Sequence, residues 1–298
     1  MLQALRPSWP TVRSECALFA RLVKIEHSIF ALPFAYIGLF LAADGWPGWR
    51  PFVFLSLAMV AVRSFAMAVN RLADIKYDRQ NPRTLDRPLV TGEISRSKAW
   101  TMTLIAAVVF VFSCAGLNTL CLYLSPIALL WSGLYSYSKR VTWLCHFWLG
   151  SVLGLAPVGG WLAYSPVFTL PAVLFFLGVT FWVAGFDILY ACQDVSFDRQ
   201  MGLKSMPVRF GIHEALLLST FSHVNASLFF LLAGWTAGLG WIYGLVWLAI
   251  TIVLLWEHTL VAADDLERLD LAFFTVNGVI AVILCLGVLA DIFGPLGS

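Results

Sequence analysis

Residues 170–200 read "LPAVLFFLGVTFWVAGFDILYACQDVSFDRQ", and the fold turns on how they are read. The first seventeen carry no charge, and the stretch then places three aspartates, Asp187, Asp194 and Asp198, where the apolar run ends. A helix needs about 20 mostly apolar residues to cross a bilayer. Backbone groups in lipid must bond within their own segment, and nothing here alternates as barrel strands do. The stretch therefore reads as a transmembrane helix that ends in a cluster of carboxylates.

The rest of the chain repeats this apolar character. Of its 298 residues 60% are hydrophobic and only 12% charged, about half the charged fraction of a soluble protein. The fold class expected is all-α, a polytopic membrane protein. Nine spans are expected, near 26–43, 51–71, 98–117, 119–137, 142–164, 168–190, 213–237, 240–257 and 271–293. Pro and Gly within them (Pro33, Pro126, Gly150, Gly154, Pro157, Gly159, Gly160) allow kinks and close helix packing. The first apolar run starts near Ser28 without a small-residue cleavage site, so no cleavable signal peptide is expected. The chain reads as one domain over 1–298, with 1–25 a cytoplasmic or interfacial N-terminal segment.

Connections alternate between short and long. "LN" (117–118), "SPVF" (165–168) and "GLG" (238–240) are short, whereas 72–97 and 191–212 are long. With the N-terminus in the cytoplasm, 17 of the 19 Lys and Arg fall on the cytoplasmic side, Arg50 falls outside and Arg63 lies within a span. This follows the positive-inside rule and puts the C-terminus outside. The net charge of +2 is too small to suggest nucleic acid. The six cysteines form no CxxC pair, so neither a disulfide framework nor a zinc site is indicated.

Two acidic motifs stand out. Asn70, Asp74 and Asp78 follow at intervals of four, which puts them on one helix face. Asp187, Tyr190, Asp194 and Asp198, at spacings of 3, 7 and 11, again share one face. A solvated helix end explains one such aspartate; it explains two copies of the same spacing poorly. Like charges four apart repel, which calls for a bound cation, and hard oxygen donors suit Mg²⁺. The neighbouring loops are rich in Arg and Lys, which suit phosphate oxygens. Together these describe a site for Mg²⁺ and a diphosphate. Asp187 lies seven residues before Asp194, hence about 10 Å deeper, and Arg63 lies equally far before Asn70. Either they neutralise one another, or they form a second layer beneath the diphosphate where an acceptor lies. A cation pathway through a transporter would instead want carboxylates near the midplane.

With these motifs the chain resembles the UbiA superfamily of intramembrane prenyltransferases, in particular its 4-hydroxybenzoate polyprenyltransferase branch. The resemblance spans nearly the whole chain. It rests on Asn70-x3-Asp74-x3-Asp78 continuing as "NPRTLDRPLVTGE", on Asp187-x2-Tyr190-Ala191-x2-Asp194-x3-Asp198 continuing to Gly202, Lys204 and Ser205, and on "YSYSKR" and "KIEHSIFALPFA". In one departure, Arg71 follows Asn70 where many members have Asp; this resembles a sub-branch that includes members of a futalosine route to menaquinone.

The resemblance implies nine helices around a central cavity with a cytoplasmic cap, in the inner membrane of a bacterium. It implies a Mg²⁺-dependent transfer of a polyprenyl group from its diphosphate to a ring carbon of an aromatic acid, most simply 4-hydroxybenzoate, or a dihydroxynaphthoate, in ubiquinone or menaquinone synthesis. Asn70, Asp74, Asp78, Asp194 and Asp198 would hold the metal. Lys139, Arg140, Lys204, Arg79 and Arg87 would bind the diphosphate. Asp187, Tyr190 and Arg63 would form the catalytic set, with Lys24, Arg63 and Asp187 facing the acceptor. The rival readings are a transporter and an intramembrane CDP-alcohol phosphotransferase, whose DG-x2-AR signature is missing. Among the histidines, His27 is expected near the site, and His146, His213, His223 and His258 are expected to be interfacial or packed. "ADDLERLD" (263–270) reads as a solvated loop.

Overall fold

A computed structural model describes residues 12–24, 31–259 and 277–294. The described elements are all helical. In chain order they are α1 (Val12–Val23), α2 (Leu32–Ala43), α3 (Trp49–Asp78), α4 (Pro88–Thr91), α5 (Arg96–Leu117), α6 (Thr119–Leu134), α7 (Ser138–Val141), α8 (Cys145–Tyr164), α9 (Leu170–Ala191), α10 (Val195–Gln200), α11 (Met206–Phe210), α12 (Ile212–Thr236), α13 (Trp241–Glu257) and α14 (Asn277–Phe293). Short 3₁₀ turns occupy Pro82–Thr84, Tyr135–Tyr137 and Cys192–Asp194.

Among the described residues six helical stretches are long and apolar enough to cross a membrane: α3, α5, α6 continued to Val141, α8, α9 continued to Gln200, and α12. Three shorter apolar helices, α2, α13 and α14, fall where the other three expected spans lie. The N-terminal parts of the first and last expected spans, His27 and 263–270 lie outside the described residues. The second span is longer than expected, because α3 runs unbroken through both Asp74 and Asp78.

Local chemistry sets the turns. Asn118 alone connects α5 and α6: its side chain accepts the Cys121 N–H at 3.0 Å and donates to the Leu162 carbonyl at 2.7 Å. One residue thereby caps a helix and ties it to α8. Small residues set the packing. A Cβ on Gly160 would lie 1.9 Å from the Ala35 carbonyl oxygen, and one on Gly150 would lie 2.2 Å from that of Thr180. Backbones of α2, α8 and α9 can approach this closely only because glycine stands there.

α9 is the central helix, packed between α8 and α12. Its Trp182 and Phe175 are buried with Phe34 of α2 and Phe230 of α12. Outward-facing Phe112, Leu104, Val108 and Trp235 are exposed, as suits surfaces facing lipid. Cys114, Cys121, Cys145, Cys192 and Cys285 are buried free thiols.

Candidate active site

The two acidic motifs face each other across one polar cavity of about 570 Å³. α3 supplies Asn70, Arg71, Asp74, Tyr77 and Asp78; α9 and its continuation supply Asp187, Tyr190, Asp194 and Asp198. α1 contributes Arg21 and, just after it, Lys24. Beneath lies an apolar chamber of about 170 Å³ between α3, α5, α6 and α8, with Arg63 in its wall. Tyr135 and Leu149 line both spaces.

The first motif is regular helix. Asn70 Nδ2 donates to Asp74 at 3.0 Å, one turn on, which leaves the amide oxygen of Asn70 as a donor for a cation. Arg140 reaches Asp74 Oδ1 at 3.0 Å and the Ala73 carbonyl at 2.8 Å. Its guanidinium stacks between the rings of Tyr77 and Tyr137. Arg87 pairs with Asp78 at 2.6 Å.

The loop after this motif folds back by local bonds. The side chain of Asn81 accepts the Arg83 N–H at 3.0 Å, Pro82 opens a 3₁₀ turn, and Thr84 Oγ1 donates to the Asp78 carbonyl at 2.8 Å. That turn aims Arg83 across the cavity. Its Nη1 lies 2.9 Å from Asp194, its Nη2 donates to the Tyr190 hydroxyl, and its guanidinium lies over the Tyr190 ring.

The second motif departs from the regular helix its spacing suggests. The 3₁₀ turn Cys192–Asp194 follows α9 directly. Three-residue turns advance each residue by about 20° more than an α-helix does, yet Asp187, Tyr190, Asp194 and Asp198 all still line the one cavity. Asp198 points inward, its side chain 3% exposed, and pairs with Lys139 at 3.5 Å. Asp187 meets His146 Nδ1 at 2.7 Å.

Among the diphosphate candidates, Lys139, Arg140 and Arg87 line the cavity, whereas Lys204 and Arg79 do not. Lys204 is exposed and its ammonium caps the Val141 carbonyl at 3.0 Å. Arg79 is exposed at the C-terminal cap of α3. Arg71, Arg83 and His146 are the side chains that spacing did not single out for the site. The "NPRT" turn signal could have pointed to Arg83. His146 has no sequence signal, since its partners are distant in the chain.

The donor set fits a hard divalent cation. Asn70, Asp74, Asp78, Asp194 and Asp198 offer oxygen only, around one hollow. Among the described residues no three His, Cys, Asp or Glu side chains converge to hold an ion by themselves. This suits Mg²⁺, which is commonly held by one or two carboxylates together with substrate phosphates rather than by a protein cage. The aspartates are meanwhile neutralised by Arg83, Arg87, Lys139 and Arg140.

Comparison with known proteins gives four results. The family model for the UbiA prenyltransferase family matches residues 31–279. A curated relative in Herminiimonas arsenicoxydans, a 4-hydroxybenzoate octaprenyltransferase, is 30% identical over 83% of this chain and 88% of its own. Among solved structures, the apo UbiA homologue of Aeropyrum pernix K1 is 35% identical with a TM-score of 0.81, covering 90% of this chain and 98% of that one. The Archaeoglobus fulgidus homologue, solved with GPP and Mg²⁺, shares the fold at 20% identity and a TM-score of 0.69, covering 92% and 99%.

Proposed function

Since this chain belongs to the UbiA prenyltransferase family and is a multi-pass membrane prenyltransferase, we propose that it moves a polyprenyl group from a polyprenyl diphosphate to a ring carbon of 4-hydroxybenzoate in quinone biosynthesis. Family membership sets aside the transporter and CDP-alcohol phosphotransferase readings. The observation that carries the proposal is the meeting of both carboxylate motifs at one polar cavity above an apolar chamber.

Asn70, Asp74, Asp78, Asp194 and Asp198 would hold Mg²⁺, which supplies charge neutralisation of the departing diphosphate. Arg71, Arg83, Arg87, Lys139 and Arg140 line the same cavity and bind the diphosphate oxygens. The allylic C–O bond breaks at the boundary between the two spaces. The apolar chamber takes the isoprenoid and keeps water from the cation that forms. Tyr135, on both walls, presents an aromatic face to it. Asp187 faces the acceptor and orients its phenol hydroxyl, with Lys24 and Arg63 as the candidate partners of the acid's carboxylate. Tyr190 holds Arg83 in place. The distribution of Lys and Arg supports motifs facing the cytoplasm and an inner-membrane location.

A second acceptor, a dihydroxynaphthoate, is favoured by Arg71, which departs from the common form of the motif and lines the cavity. The test is to incubate membranes with geranyl diphosphate, Mg²⁺ and a panel of aromatic acids and identify products by mass spectrometry. Prenylated 4-hydroxybenzoate is expected. Product on dihydroxynaphthoate alone would replace the acceptor, and no prenylated acid would overturn the proposal.

A further inference from the structure

His146, the second residue of α8, has a fully buried side chain, and its ring is held at both ends. Nδ1 lies 2.7 Å from Oδ2 of Asp187. Nε2 accepts the backbone N–H of Met206 at 3.2 Å. A backbone amide can only donate, so Nε2 bears no hydrogen. The ring proton therefore sits on Nδ1 and is donated to the Asp187 carboxylate. The backbone thus selects the tautomer, and one oxygen of Asp187 is committed to the imidazole.

The anchor itself is well held. Met206 opens α11 at the end of the strap that leaves the second motif. Leu203 N–H bonds to the Asp198 carbonyl at 2.8 Å, Lys204 N–H bonds to the Lys139 carbonyl at 2.6 Å, and the Cys145 thiol donates to the Lys204 carbonyl at 3.5 Å. The strap, the start of α8 and the cavity wall at Asp187 therefore form one bonded unit. A residue that only filled space at this position would need neither ring nitrogen.

We infer that His146 is the positioning residue of Asp187, holding its carboxylate toward the aromatic acceptor without itself touching substrate. The inference rests on the reading of Asp187 as the acceptor-side carboxylate.

The test uses full-length protein in detergent with geranyl diphosphate and 4-hydroxybenzoate, or the acid of the panel above that the wild type prenylates. Wild type, His146→Leu, His146→Asn and Asp187→Asn are compared by kcat, by KM for each substrate and by thermal unfolding. His146→Leu should lower kcat/KM for the acid by roughly ten- to a hundred-fold, the effect of losing one hydrogen bond to a charged group, and leave KM for geranyl diphosphate unchanged. His146→Asn places an amide N–H near the Nδ1 position and should restore most of that loss. The inference is overturned if His146→Leu is kinetically silent, if both substrates are affected alike, or if His146→Asn fails to rescue or to fold. A silent Asp187→Asn would overturn the reading of Asp187, and this inference with it. An impaired Asp187→Asn beside a silent His146→Leu would overturn the inference alone.

Discussion

The first acidic motif rides on one uninterrupted helix, Trp49–Asp78, whereas the second crosses a break, with α9 ending at Ala191 and a 3₁₀ turn carrying Asp194. On the first, neighbours one turn apart cooperate: Asn70 donates to Asp74. On the second, the carboxylates turn to separate partners: Asp187 to His146, Asp194 to Arg83 and Asp198 to Lys139. Adjacent residues then straddle the cavity, because Lys139 serves the second motif and Arg140 the first. Arg83, from the loop after the first motif, closes onto the second. Similar spacing on two helices has thus produced two unlike half-sites, joined by cations from elsewhere in the chain.

The largest expected effect removes one carboxylate from either half. Asp74→Ala and Asp194→Ala should each lower Mg²⁺-dependent diphosphate release by about 10²–10³-fold, the effect of losing one stabiliser of transition-state charge. Both variants should elute from size exclusion as the wild type does, and chelation of Mg²⁺ should abolish wild-type turnover. Wild-type release in both variants would break the comparison, because neither half would then be needed.

A smaller effect separates the cation that spans the halves from one confined to the first. Arg83→Ala should cost roughly 10–100-fold in turnover, the effect of losing a charge-assisted bidentate contact. Arg83→Lys should recover little, since a single ammonium cannot serve Asp194 and Tyr190 from two nitrogens. Arg87 pairs with Asp78 of the first motif, and Arg87→Ala should cost about tenfold by the same measure. Steady-state assays of diphosphate release rank the three, and equal losses for Arg83→Ala and Arg87→Ala would remove the distinction.

The smallest effect concerns two lysines in the same stretch of structure. Lys139→Ala leaves the inward Asp198 without its cation and should lower turnover by about tenfold or more. Lys204→Ala removes an exposed cap on Val141 and should stay within about twofold in turnover, as surface substitutions usually do. Paired assays on the two variants decide whether the cavity or the whole basic loop binds the diphosphate.

Sequence by itself determined the class of the molecule. Apolar runs of membrane length force helices, because a backbone in lipid has no other way to satisfy its hydrogen bonds. The interval of four in Asn70, Asp74 and Asp78 likewise determined one helix face, since that relation is local and depends only on the pitch. The same reasoning put Asp187, Tyr190, Asp194 and Asp198 on one face, and all four line one cavity, although the 3₁₀ turn at Cys192–Asp194 interrupts the regular helix that reasoning assumed. Only the tertiary structure decided which cation meets which carboxylate, that Lys204 and Arg79 stand aside, and that His146 holds Asp187. Apart from Arg87 and Asp78, which are nine positions apart, those contacts join residues 41 to 111 positions apart, and their geometry depends on how closely glycine-bearing helices pack. No local periodicity encodes such a distance.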